Sequence, residues 1–277
     1  MLLTMTILVG ADGSVASRAA LTWAVDRARH TRDDVVLLTV VDHEWGAVGG
    51  SALAELKRTA EERAERELAF ARDLGDGLQV VSAVSVGSPM LALAEAGREA
   101  DLVVVGTHKV GYFHGHALGS RGLQLAAVSI APTAVVPVTS WRGRSGVAVG
   151  VADGVDSDDA VRFAAREASR LGEPLVLLRA ADDDAKRSGV GDRAASLAAA
   201  VHPEVAVEVR STADPASGAL IGMSRRAVLT VTGRRVPRSG FLPLGRTNTD
   251  LLMNLAGPVV VVPHTSVEAV VVGWTAA

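Results

Sequence analysis

Short runs of β-branched and aliphatic residues alternate along this chain with longer stretches in which apolar residues recur every third or fourth position. Thr4–Gly10, Val35–Val41, Val80–Val84, Leu102–Val105 and Ala134–Val138 read as buried strands. After the first, Ser14 is an N-cap signal, and Ala16, Ala20, Trp23, Ala24 and Ala28 continue at helical spacing. Leu53, Leu56, Ala60, Ala64, Leu68 and Ala71 fall on one face of a long helix whose other face is Lys, Arg and Glu. Pro89, after Gly87-Ser88, opens a further helix through Leu91, Ala94 and Arg98. Strands alternating with helices predict parallel pairing through right-handed crossovers.

The pattern then repeats. Strands are expected at Val147–Val151, Leu175–Leu178, Val205–Val209, Val228–Val231 and Val259–Val262, with helices from Asp156, near Arg193–Val201 and after Pro215. Asp12-Gly13 returns as Asp153-Gly154, Ala100–Gly106 as Ala227–Gly233, and Ala131–Pro137 as Ala256–Pro263. Gly106 and Gly233 lie 127 residues apart and Pro132 and Pro258 lie 126 apart, so a whole domain is duplicated. The expected units are residues 1–140 and 145–264, joined by the short polar segment Trp141–Ser145. The apolar tail Val267–Trp274 has no assigned place.

Composition narrows the function. The chain has 277 residues, 48% apolar but only 3% aromatic, which suits Val-rich strands under Ala- and Leu-rich helices. Net charge is −4 over residues 1–140 and +1 over 141–277, so neither half carries the basic excess of a nucleic-acid binder. With no cysteine, disulfides, thiol catalysis and cysteine-held metals are excluded. No leader pattern and no long apolar run are present, so a cytoplasmic protein with no membrane association is expected.

In open parallel α/β sheets, ligands bind beyond the C-terminal strand ends where the winding direction reverses. Gly10-Ala11-Asp12-Gly13, Val41-Asp42 and the loop Gly106–Ser120 converge there. The loop leads into the helical pattern Leu123–Val128, and glycines before a helix N-terminus can turn backbone N–H groups onto phosphate. A plain surface loop capped by Ser120 is the other reading. Asp12 has two readings as well, a ribose-binding carboxylate or an Asx turn leading into the helix. His108, His114 and His116 share the loop, but without typical metal-ligand spacing or a Cys they read as solvated or phosphate-facing, and no metal site is expected.

Ile7–Ser14, Gly87-Ser88-Pro89, Ala100–Gly106 and Ala131–Val136 together resemble the universal stress protein family in its tandem two-domain form. The resemblance implies two α/β/α sandwich domains, each with a five-stranded parallel sheet of Rossmann-like, adenine-nucleotide hydrolase-like type. Members that bind ATP carry Gly-x-x-Gly, nine residues, then Gly-Ser or Gly-Thr. Gly106 and Gly119-Ser120 keep that register here, with Lys109 in place of the second glycine. Carried over by position, Asp12 binds ribose, Gly10, Ala11 and Val41 flank adenine and sugar, and Gly106, His108, Lys109, Gly119, Ser120 and Arg121 line the phosphates. In the second copy Gly233 is followed by Val236, and Gly245 arrives one residue early without a Gly-Ser pair, so that motif is degenerate.

The resemblance therefore implies a stress-response protein that binds ATP, with or without Mg²⁺, mainly in its first domain and acts as a signalling module. No nucleophile–base pair is visible, so it is read as no enzyme, or at most a slow ATPase. The alternative is a ligand-free interaction protein with decayed pockets. The two domains are expected to join through their last strands as an intramolecular pseudo-dimer, with a homodimer of chains left open.

Overall fold

The computed structural model describes residues 5–42, 50–107, 121–140, 143–152, 157–180, 189–236 and 243–264. His108, Lys109, Gly119 and Ser120 lie outside them, as do His114, His116, Asp153 and the tail.

The first half runs β1 (Thr6–Gly10), α1 (Val15–Thr31), β2 (Asp34–Val41), α2 (Gly50–Leu74), β3 (Val80–Val86), α3 (Pro89–Ala96), β4 (Leu102–Thr107), α4 (Arg121–Val128) and β5 (Thr133–Pro137). The second repeats it with β6 (Val147–Gly150), α5 (Asp158–Leu171), β7 (Leu175–Ala180), α6 (Val190–Val201), β8 (Val207–Thr212), α7 (Ala216–Ser224), β9 (Leu229–Arg235), α8 (Arg246–Asn254) and β10 (Val259–His264). Strand order is β3-β2-β1-β4-β5 in the first half and β8-β7-β6-β9-β10 in the second, parallel within each half. The two α/β/α halves share one ten-stranded sheet, because β5 and β10 pair antiparallel with Ala134 opposite Val260.

Alternation along the strands divides the core into two layers. Ile7, Val9, Leu37 and Val104 face α1 and α2, whereas Leu8, Leu38, Val103 and Val105 face α3 and α4. The second half repeats this, with Val147 and Val149 toward α5 and α6, and Val259 and Val261 toward α7 and α8. Helix α1 starts where Ser14 Oγ accepts from Ser17 N–H at 3.1 Å, and it ends at Arg32 in the left-handed region. Helix α5 ends the same way at Gly172.

The predicted strands are all present, with shifted ends. Strand β8 begins at Val207 because Val205 N–H closes a turn onto His202 O. Strand β9 extends to Arg235 because β10 runs on beside it, pairing Pro263 with Arg234 and His264 with Arg235. The connection between the halves is anchored at Arg144, whose two Nη groups donate to Ser224 O and Ala256 O, both at 2.7 Å.

Candidate functional site

The winding direction reverses between β1 and β4, and a cleft of about 390 Å³ opens at their C-terminal ends. Gly10, Ala11 and Asp12 enter it from β1, Val41 and Asp42 from β2, Gly106 from β4 and Arg121 from the start of α4. Six of the ten residues expected to form the site thus lie together, and the other four fall outside the described residues. Leu38, Val40, Met90, Leu93 and Val105 supply an apolar floor, and Thr59 and Arg63 of α2 form a wall.

Both readings of Asp12 hold at once. Its Oδ1 accepts from Ser14 N–H at 2.9 Å, which is the Asx turn, and the residue still lines the cleft. The cleft walls partly desolvate the carboxyl and push its pKa up, although the residue is open to solvent. Hydrogen bonds from Ser14 and Ser17 and the Arg121 charge outweigh that and hold it below the ordinary carboxylate value. Asp12 is therefore an anionic acceptor at neutral pH, suited to hydroxyl donors. Across the cleft Arg121 lies 3.7 Å from Asp42, a long pair whose exposed arginine a competing anion can draw away.

Gly106 has a structural reason for lacking a side chain. A Cβ there would lie 1.9 Å from Ala16 O, on the backbone of α1. The glycine thus lets α1 press onto β4, which sets the Asp12–Ser17 turn at the cleft mouth. Arg63 and Met90 were not singled out from sequence. Arg63 stands seven residues after Leu56 and three after Ala60, at the edge of the apolar stripe of α2, so the helical period does mark it as cleft-facing.

The second half has the equivalent cleft, about 300 Å³, at the ends of β6 and β9. The registers β1–β2 and β6–β7 set Gly10 opposite Leu38 and Gly150 opposite Leu178, so Ala152 takes the position of Asp12. The repeated aspartate, Asp153, comes one residue later. Arg179 replaces Thr39, whose Oγ1 donates to Ala11 O at 2.8 Å in the first half. Counting back from the last strands, Asn248 replaces Gly122. Asn248 Oδ1 accepts from Thr232 Oγ1 at 2.8 Å, and its Nδ2 donates to Gly233 O at 3.0 Å and Leu244 O at 3.3 Å. These bonds tie the end of β9 to the approach to α8, a tie that Val105 and Gly122 cannot make in the first half.

The described residues hold no group of three or more His, Asp or Glu side chains suited to a metal, and no helix among them is long and apolar enough to cross a membrane.

The universal stress protein family model matches residues 4–137, the segment that builds the first cleft. A universal stress protein of Mycolicibacterium smegmatis is 33% identical over 137 residues, covering 48% of this chain and 45% of that protein. One from Mycobacterium tuberculosis is 30% identical over 190 residues, covering 68% of this chain and 67% of its relative. The chain spans between 45% and 64% of the length of the first curated relatives it matches. The crystal structure of a universal stress protein from Archaeoglobus fulgidus has the same fold, with a TM-score of 0.79 over 95% of this chain and 98% of that one at 17% identity. With the family's opening strand, Gly-Ser-Pro helix start and Ala-Asp-Leu-Val-Val-Val-Gly strand in their places on that fold, the chain belongs to the universal stress protein family.

Proposed function

We propose that this protein is an adenine-nucleotide sensor of the cytoplasm that holds ATP in the cleft of its first domain, residues 1–140, and signals by binding. The second domain, residues 145–264, serves as its intramolecular pseudo-dimer partner. The observation that carries the reading is the meeting of Asp12, Val41, Gly106 and Arg121, from four separate segments, around one cleft with an apolar floor. An apolar floor with a few convergent polar groups suits a planar base with a polar sugar. Asp12 accepts from ribose hydroxyls, while Arg63, Gly106 and Arg121 face the phosphates. Mg²⁺ fits as a companion of the phosphates, which together with water supply most of its shell. In this reading occupancy rather than turnover is the output.

Two features of the second cleft, Ala152 at the Asp12 position and the Asn248 tie, favour a single nucleotide site per chain. Calorimetric titration with Mg-ATP is expected to give a stoichiometry near one, and mass spectrometry of small molecules released from the native protein to find adenine nucleotide. Asp12→Ala is expected to weaken binding at least tenfold, since losing one hydrogen bond to a charged group costs about 1.5–3 kcal/mol. Gly119→Val is expected to abolish measurable binding with native far-UV circular dichroism, and Lys109→Ala to weaken it if the ammonium reaches phosphate. Two equal sites would refute the single-site reading. No binding by the unaltered protein would leave a ligand-free interaction protein.

A further inference from the structure

The sheet joint between the halves does not by itself choose its partner. Counting from Pro132 and Pro258, Ala134 and Val260 are equivalent positions, and they pair with each other across the β5–β10 joint. A local twofold axis therefore passes between them. Two first halves would meet there as Ala134 against Ala134, and two second halves as Val260 against Val260. Both are small apolar pairs that an antiparallel ladder accepts.

A buried charge row beside this axis breaks the symmetry. Arg27 of α1 and Glu167 of α5 are equivalent residues, each five before the left-handed residue that ends its helix, Arg32 or Gly172. The hydrogen bonds agree, since Arg32 and Asp33 N–H donate to Ala28 O while Glu173 N–H donates to Ala168 O and Gly172 N–H is shared between Ala168 O and Ser169 O. Arg27 Nη2 and Glu167 Oε1 meet at 2.5 Å, with side chains only 4% and 3% exposed. Asp33 holds the other arm of Arg27 at 3.1 Å, and Arg170 Nη2 holds the other oxygen of Glu167 at 2.8 Å. The row reads Asp33, Arg27, Glu167, Arg170, alternating in sign across the axis.

We propose that the Arg27–Glu167 pair is a partner-selecting device, admitting only the union of a first half with a second half and rejecting both like-with-like unions. Two first halves would bury Arg27 against Arg27, and two second halves would bury Glu167 against Glu167. Either sets like charges against each other where there is little water to screen them, each left with only the counter-charge of its own half, Asp33 or Arg170. Maximal stability is not the reason for the row, because Arg27 Nε and Arg170 Nη1 lack hydrogen-bond partners among the described residues. An apolar pair of similar volume would hold the joint as well without discriminating. The partner that this face fits is a half-molecule with a carboxylate at the Glu167 position, and its own chain supplies one. Within one chain this union pairs both last-strand edges with each other.

The test uses the full chain, folded and then cut at a protease recognition sequence inserted beside the exposed Gly143, with products weighed by native mass spectrometry. The unaltered protein is expected to remain a one-to-one complex of unlike halves. In Arg27→Glu the halves are expected to separate. The neutral double variant, Arg27→Met with Glu167→Met, is expected to hold together and, on incubation, to yield like-with-like pairs as well. In uncut chains each Met variant alone is expected to lower the unfolding midpoint by about 10 °C, and the double variant to recover most of that loss. Like-with-like pairs from the unaltered protein, separation of its halves on cutting, or a double variant that stays strictly unlike would each overturn the proposal. A double variant no more stable than the single ones would do so too, independently of the cut.

Discussion

Replacing Gly106 by alanine is expected to lower the unfolding midpoint by about 10 °C or more and to abolish the nucleotide affinity proposed for the first cleft. The added Cβ would lie 1.9 Å from Ala16 O, 2.2 Å from Ala16 C and 2.8 Å from Ser17 N. All three are backbone atoms of α1, so no side-chain rotation relieves the clash and the helix itself must move. Overpacking of a core costs about 1–3 kcal/mol when side chains can adjust, and a backbone obstacle belongs at or beyond the top of that range. In chains of this size each kcal/mol shifts the midpoint by about 2–4 °C. The same displacement carries Ser14 and Ser17, and hence the hydrogen bonds that hold Asp12, away from the cleft. Gly218→Ala is the control. It lies inside α7 with nothing within 4 Å of its would-be Cβ, and alanine there is expected to keep or raise the midpoint. Thermal unfolding of both variants decides the matter, and a wild-type midpoint for Gly106→Ala would remove this account of the α1–β4 contact.

Gly106 also shows how sequence and structure divide the information. Its place at the end of a Val-rich strand was legible, because that pattern marks a strand end on its own and the motif register reinforces it. The reason for the glycine was not. A phosphate approach and a helix approach both demand a missing side chain, and only the path of α1 separates them. The alternation of strands and helices follows from local regularities, short continuous apolar runs for the strands and a 3.6-residue period for the helices, so it survives in a single sequence. The order of strands across the sheet is set instead by long-range pairing. Of the cleft residues not singled out from sequence, Arg63 is marked by the helical period of α2 at the edge of its apolar stripe, whereas Met90 comes from α3, whose rotation about its axis depends on packing across the sheet. In the second half the sequence repeat suggested that Asp153 matches Asp12, whereas the strand register moves Ala152 into that position. A one-residue insertion is invisible to motif matching but not to hydrogen-bond register, which fixes what faces the cleft.

The asymmetry between the clefts and the asymmetry at the joint have one physical origin. Duplication first produces two equal halves, with two like clefts and a joint that either half can make with itself. The differences now present, Asp12 against Ala152, Gly122 against Asn248 and Arg27 against Glu167, make the halves complementary instead of equivalent. On the function proposed above, a half relieved of ligand binding is free to carry internal ties such as Asn248.

Glu167→Gln is expected to lower the unfolding midpoint at neutral pH by about 10 °C, because it leaves Arg27 and Arg170, 4% and 10% exposed, without their shared carboxylate. The amide keeps the shape and one acceptor oxygen, so the loss reports the charge and not a cavity. The pH dependence supplies the sharper test. Burial alone pushes the Glu167 pKa up, but the charges of Arg27 and Arg170 and their hydrogen bonds win, holding it below the ordinary value of 4.5. A carboxyl depressed in the folded state binds its proton more readily when unfolded. Its contribution is therefore complete above about 4.5 and is lost as the pH falls below that through the folded pKa. The gap in midpoint between the unaltered protein and Glu167→Gln is accordingly expected to be flat from neutral pH down to about 5 and then to narrow on further acidification. Unfolding midpoints of the two proteins across pH 7 to 3 measure it. A gap that is absent at neutral pH, or that widens in acid, would show that the carboxylate is not the charged centre of the row.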